Sequence, residues 1–220
     1  MQLQTALDCY QYVQNRLNRN SSNSGDNIPA YQFVEAFNTA QSLWVEDRAK
    51  LSETNIIRKD EIQQLLQSLY LTGTSDGNTY SVDLPEDYLH YSRSTSEAPC
   101  VINNRLVKEG DINMKLNDDF WKPSLDWGET LCTLNNNTLK IYTDGFNISK
   151  VFLVYYRQPI QIGINDGFLD VNGNPRVDQN PEFTQTSLIE ILNLTCAILA
   201  GDSSDQWNFQ VSSQFSQKHT

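Results

Sequence analysis

The chain has 220 residues, 39% of them hydrophobic and 20% charged, with a formal net charge of −11. That length supports one large domain or two small ones with a sizeable core. The acidity argues against tight gripping of DNA or RNA, which takes a basic face that neutralises phosphates.

Leu3, Ala6, Leu7, Tyr10, Val13 and Leu17 recur at helical spacing and predict an amphipathic helix over about 3–19. The opening residues lack the basic start and apolar stretch of an export leader. A polar linker, Asn20 to Asn27, follows. Pro29, with Asp26 or Asn27 as cap, opens a second helix whose apolar stripe runs from Phe33 through Trp44 to Ala49. A third helix is expected from about Lys59 to Leu71, with Ile62, Leu65, Leu66 and Leu69 inward, ended by Gly73 to Gly77.

The period then changes. Thr79 to Leu84 alternates as a strand does and is closed by Pro85. Further strands are expected near Cys100–Leu106, Thr130–Leu134, Thr138–Tyr142 and Val151–Tyr156, with turn chemistry at Asn135–Asn137 and Asp144-Gly145. Residues 111–122 read ambiguously, with Phe120-Trp121-Lys-Pro-Ser suggesting a packed loop. A Gly/Asn/Asp/Pro-rich loop, 163–182, leads to a closing helix over 183–201, then an arm over 202–220. The fold class expected is α+β: N- and C-terminal helices form a helical bundle with an inserted small antiparallel β-sheet or sandwich. The parts are 1–75 (helical), 76–162 (β-rich insertion), 163–182 (long loop), 183–201 (closing helix) and 202–220 (C-terminal arm).

Catalytic chemistry is hard to find. Of the two histidines, His219 lies near the end and His90 sits among Tyr88, Leu89 and Tyr91, as a structural residue would. The carboxylate pairs Glu86/Asp87 and Asp118/Asp119 are adjacent in sequence, whereas acid–base hydrolysis needs carboxylates facing across a cleft. Asp166 to Asn174 resembles a calcium loop but fails the EF-hand pattern at Phe168 and Val177. Started at Asp170, it fails at Pro175 and Pro181. No glycine pattern cradles a phosphate, and Cys9, Cys100, Cys132 and Cys196 have no metal-ligand spacing; they are expected reduced and mostly buried. No apolar run reaches the ~20 residues of a membrane span. The expectation is a non-enzyme without cofactor or metal. Trp121 and Trp127 flank a loop where rings would anchor against the sheet or a neighbour. Trp207, Phe209 and Phe215 could dock an arm, and Arg157 sits at a strand end as a surface or inter-subunit cation.

Three segments carry a family resemblance: the Leu84-Pro-Glu-Asp-Tyr-Leu-His-Tyr91 box, the Tyr155-Tyr-Arg-Gln-Pro159 strand end, and the late helix through Leu199. In this order they resemble head-to-tail connector and neck-ring proteins of tailed phages, most closely the tail ring proteins of short-tailed, crAss-like phages. The likeness covers about Pro29 to Gln210. It implies a non-enzymatic virion protein of the neck or tail, made in the host cytoplasm. It also implies assembly as a ring, commonly of twelve copies, stacked on the portal protein or another ring. Genomic DNA would pass through the channel without sequence-specific binding. The rival expectation is a monomeric carbohydrate- or cell-surface-binding β module with Trp121 and Trp127 as a sugar platform.

Overall fold

A computed structural model describes residues 3–20, 28–52, 61–167 and 175–202. The chain divides into two compact units: residues 1–64 with 159–220, and Leu65–Gln158.

The first unit is helical. Helix α1 (Ala6–Asn20) starts at a capping box: the Asp8 amide donates to Thr5 Oγ1 at 3.1 Å, and the Thr5 amide donates to the Asp8 carboxylate at 3.0 Å. Hydrogen bonds from the Thr5 side chain, then from the Thr5 and Gln4 amides, hold the Asp8 carboxyl below its usual range. Helix α2 (Ala30–Ser52) follows Pro29, which cannot donate and so loses nothing at a helix start. The last helix, here α4 (Gln185–Asp202), packs on α2 and α1 through Leu188, Ile191, Leu192 and Cys196, all essentially inaccessible. Phe33 and Phe37 of α2 are fully buried too, with Tyr10 set against Phe33.

Among the described residues of this unit, one charged side chain is buried. Arg48, 3% exposed, donates to the Glu190 carboxylate at 2.7 Å. It also meets Asp47 at 3.1 Å and Glu61 at 2.7 Å, and lies over the Trp44 ring at 5.3 Å. The Trp44 indole donates to the same Glu190 oxygen at 2.8 Å. A buried guanidinium stays charged, so three carboxylates around it are what its burial requires.

The second unit is a curled, half-barrel sheet of eight strands. They are β1 (Leu66–Leu71), β2 (Thr74–Asp76), β3 (Thr79–Asp83), β4 (Tyr88–Glu97), β5 (Val101–Leu106), β6 (Glu129–Asn135), β7 (Thr138–Tyr142) and β8 (Lys150–Arg157). Their spatial order is β1-β8-β4-β5-β6-β7-β3-β2. Every pair is antiparallel except β5–β6, whose parallel crossover carries the short helix α3 (Ile112–Leu116). Tight hairpins pin the register. Gly77, at φ +59°, turns β2 into β3, and Asn136, at φ +51°, turns β6 into β7. The core is Tyr80, Val82, Leu84, Cys132, Leu139, Ile141, Val151, Leu153 and Tyr155.

The expected fold class is therefore corrected. The sheet is neither small nor purely antiparallel, and the molecule is β-rich rather than a helical bundle with an insertion. Among the described residues there are four α-helices, and one of them, α3, belongs to the sheet's own crossover. Two local readings change with it. Leu66–Leu71, expected to end the third helix, is edge strand β1. Its leucines satisfy a helical period and a strand pattern alike, and pairing with the Val/Leu/Tyr-rich β8 decides between them. The box after Pro85, where no strand is expected, makes a turn and continues as the ten-residue strand β4, with two register shifts between Tyr88 and Arg93. Cys9, Cys132 and Cys196 are buried and free, whereas Cys100 is exposed.

Gly73 joins β1 to β2 against the backbone of β3. A Cβ there would lie 2.0 Å from the Ser81 carbonyl oxygen, and its amide donates to the Tyr80 hydroxyl at 2.7 Å. Gly73→Ala is therefore expected to destabilise by at least about 2 kcal/mol in urea unfolding, more than an ordinary surface change. Alkali is a second probe. Burial pushes the Cys9, Cys132 and Cys196 thiols up to about 11 from 9.0, and Tyr88 up to about 12 from 10.0. These groups ionise in the unfolded chain first. The stability they contribute is complete below pH 9 and drains away as pH rises through 11, on the order of 1 kcal/mol per buried thiol for each pH unit. Urea midpoints at pH 8 and pH 10.5 should differ accordingly.

Candidate functional site

The long connection between β5 and β6 carries two exposed aromatic side chains of the sheet unit, Phe120 and Trp127. Asp118 turns the chain twice: its carboxylate accepts from the Phe120 amide at 2.9 Å, and its carbonyl accepts from the amides of Trp121 and Lys122. This lifts Phe120 to 78% exposure while Trp121 is half-buried. A short bridged loop follows, in which Ser124 and Glu129 exchange backbone bonds and the Gly128 amide closes on the Leu125 carbonyl. Gly128 sits at φ +62°, where a side chain is strained, so the tight turn holds Trp127 at its tip, 59% exposed. Met114 of α3 and Val101 of β5, each 67% exposed, add apolar surface to this unit.

Cations brace the rings. Lys115 Nζ lies 3.4 Å from the Trp121 ring centre and the Arg105 guanidinium 4.5 Å from it. Arg105 also pairs with Glu129 at 2.8 Å, and Lys122 with Asp119 at 2.8 Å. That second pair lowers the Asp119 carboxyl and raises the Lys122 amine from their ordinary ranges, through a hydrogen bond and charge attraction. The dimple shared by Phe120, Trp121 and Trp127 has room for about one water molecule. It is a surface for broad contact rather than a pocket. A sugar platform needs an open ring face, and at Trp121 two cations already stand against the ring.

The sequence-selected residues divide clearly. Trp121 and Trp127 come together at this surface. Arg157 does not join them: it ends β8 opposite Tyr88 and donates to the Gln158 carbonyl at 3.0 Å. Trp207, Phe209 and Phe215 lie outside the described residues. Phe120, expected in a packed loop, is exposed, and Met114, Arg105 and Lys115 escaped the sequence reading. Their one signal was the outward alternation of β5, Val101 to Arg105, leading into an aromatic loop.

The groups weighed for catalysis have structural partners. Asp87 accepts from the Tyr155 hydroxyl at 2.8 Å, and its carbonyl accepts from the Gln158 amide at 2.7 Å. Tyr88 stacks on Tyr155 with centres 5.9 Å apart. Burial, and then the Asp87 carboxylate, push Tyr155 up to about 12. His90 lies on β4 opposite Tyr156. Asp166 pairs with Arg176 at 2.7 Å at the base of the long loop, where Gly163 and Gln179 bridge; Asp170, Asn172 and Asn174 lie outside the described residues. Among the described residues no group of three potential metal ligands occurs. A second polar set, inside the sheet, is closed on itself: Ser96 donates to Asn104 Oδ1 at 2.8 Å, and Asn104 Nδ2 donates to Ser94 at 2.9 Å. Ser94 in turn meets the Tyr91 hydroxyl at 3.0 Å. No described helix is long and apolar enough to cross a membrane.

No protein-family model matches the chain, and no curated protein matches it in sequence.

Two substitutions separate scaffold from surface. Tyr155→Phe deletes a hydrogen bond to a carboxylate and should cost roughly 1.5–3 kcal/mol. Trp127→Ala removes an exposed ring and should stay within about 0.5 kcal/mol of the parent. Urea unfolding of the two variants beside the parent checks both values.

Proposed function

We propose that this chain is a virion structural protein, a ring-forming head-to-tail connector or tail ring subunit. In this reading it stacks on the portal protein or a neighbouring ring, and genomic DNA leaves through the channel. The reading starts from the sequence resemblance. The observation that supports it best is that two of the segments carrying that resemblance meet at one place. Asp87 and Tyr88 of the first box hold Tyr155 of the second, and Tyr88 faces Arg157 across the ladder. Segments with a shared physical task are what a common scaffold retains.

The surface chemistry agrees with a protein that works by contact. Phe120, Met114 and Trp127 are large, exposed and set among paired charges, the composition of interface hot spots and their rims. The acidic total suits a conduit that duplex DNA must slide through without sticking. The role is passive: self-association and stacking stabilise the neck or tail.

Mass photometry of the purified protein tests this directly. A ring of about twelve copies of the 25.1 kDa chain would appear near 300 kDa, with a central hole in negative stain. A species that stays at 25.1 kDa up to tens of micromolar overturns the self-assembling form of the reading. The paired change Phe120→Ser with Trp127→Ala should leave the fold intact and weaken assembly or stacking at least tenfold.

A further inference from the structure

The eight-stranded sheet has two edges, and they are protected very differently. β2 is three residues long and ends in Asp76, a short edge closed by a charge. β1 is six residues, Leu-Gln-Ser-Leu-Tyr-Leu, with no charge and no proline. Among the described residues, Leu66–Leu71 make no backbone hydrogen bonds beyond those to β8. Half of their amides and carbonyls therefore face outward, a row that natural sheets normally cover or blunt. The core also stops short here: Leu69 and Leu71 pack against the main cluster yet remain only partly buried.

The same chain carries a segment of matching chemistry. Trp207-Asn-Phe-Gln-Val-Ser212 alternates apolar and polar residues, the pattern of a half-buried strand, and no charged residue occurs from Gln206 to Gln217. Three apolar side chains on one face of an added strand would extend the face that Leu69 and Leu71 leave open. We propose that the Trp207–Ser212 segment of one copy adds to β1 of a second copy as a ninth strand. The choice of a second copy rests on the ring reading. Each copy then offers one donor and one acceptor, a head-to-tail contact that repeats around a closed ring.

Disulfide trapping in the full chain tests this, with Cys100→Ser to remove the exposed thiol. Two pairs, both on the face away from Leu69 and Leu71, are introduced in separate proteins: Ser68→Cys with Asn208→Cys, and Ser68→Cys with Gln210→Cys. After mild oxidation, strand addition between copies gives a ladder from dimer upward on non-reducing gels, collapsed by thiol; single-cysteine controls stop at dimer. An internally bonded monomer overturns the proposal, because the segment then serves its own chain. No bond from either pair overturns it as well. Mass photometry of the unoxidised parent separates the two ideas. Large rings without a ladder sink strand addition and leave the ring reading standing, whereas monomers without a ladder sink both.

Discussion

Strand β8 sets the constraint that the sheet unit obeys. Val151, Leu153 and Tyr155 are buried on one face, and Val154 and Tyr156 on the other, so its backbone sits where water cannot satisfy it. Every amide and carbonyl must find a partner on a flanking strand. The chain meets that demand with β1 on one side and β4 on the other, both antiparallel. The bulges of β4 let the long strand bend around β8, which helps give the sheet its curl. Asp87 and Tyr88 then fasten the end of the pair through Tyr155. The family-like residues are accordingly bolts of the scaffold, and the surface with scope for recognition lies elsewhere, on the β5–β6 connection.

Where the sequence carried two independent signals, it read true. α2 had both its apolar stripe and Pro29 at its start, and β6–β7 had alternating strands around an asparagine turn. Reading failed where one signal stood alone. Leu65, Leu66 and Leu69 fit a helical period over a run too short to exclude a strand, and the decisive partner, β8, lies far along the chain. Tyr88–Glu97 was obscured by its bulges: each extra residue breaks the two-residue period by which a strand is recognised. The parallel β5–β6 pair left no local mark, since parallel neighbours are joined by long crossovers rather than by turn residues.

The candidate site was half legible for a related reason. Large rings between turn residues drew attention to Trp121 and Trp127. The cations that brace Trp121 come from β5 and α3, and their approach depends on a tertiary arrangement that no spacing rule encodes. Arg48 shows the same limit: an arginine in a helix reads as solvent-facing until Glu61 and Glu190, from beyond its helix, join the adjacent Asp47 around it.

The place of β8 in the chain has a consequence for synthesis. Among the described strands it is the last to leave the ribosome, yet it fills the position between β1 and β4, with Leu71 waiting roughly eighty residues for Val151. Until then β1 and β4 are neighbours of a missing strand, each with an apolar face and an open row of amides. Contacts so distant in sequence close slowly, and the nascent sheet is exposed to mispairing during that interval. Helix α4 arrives later still, so the helical unit, begun first, is completed last. A protein made in many copies at once would thus pass through its most aggregation-prone state on the polysome, where chaperone capacity rather than native stability sets the yield.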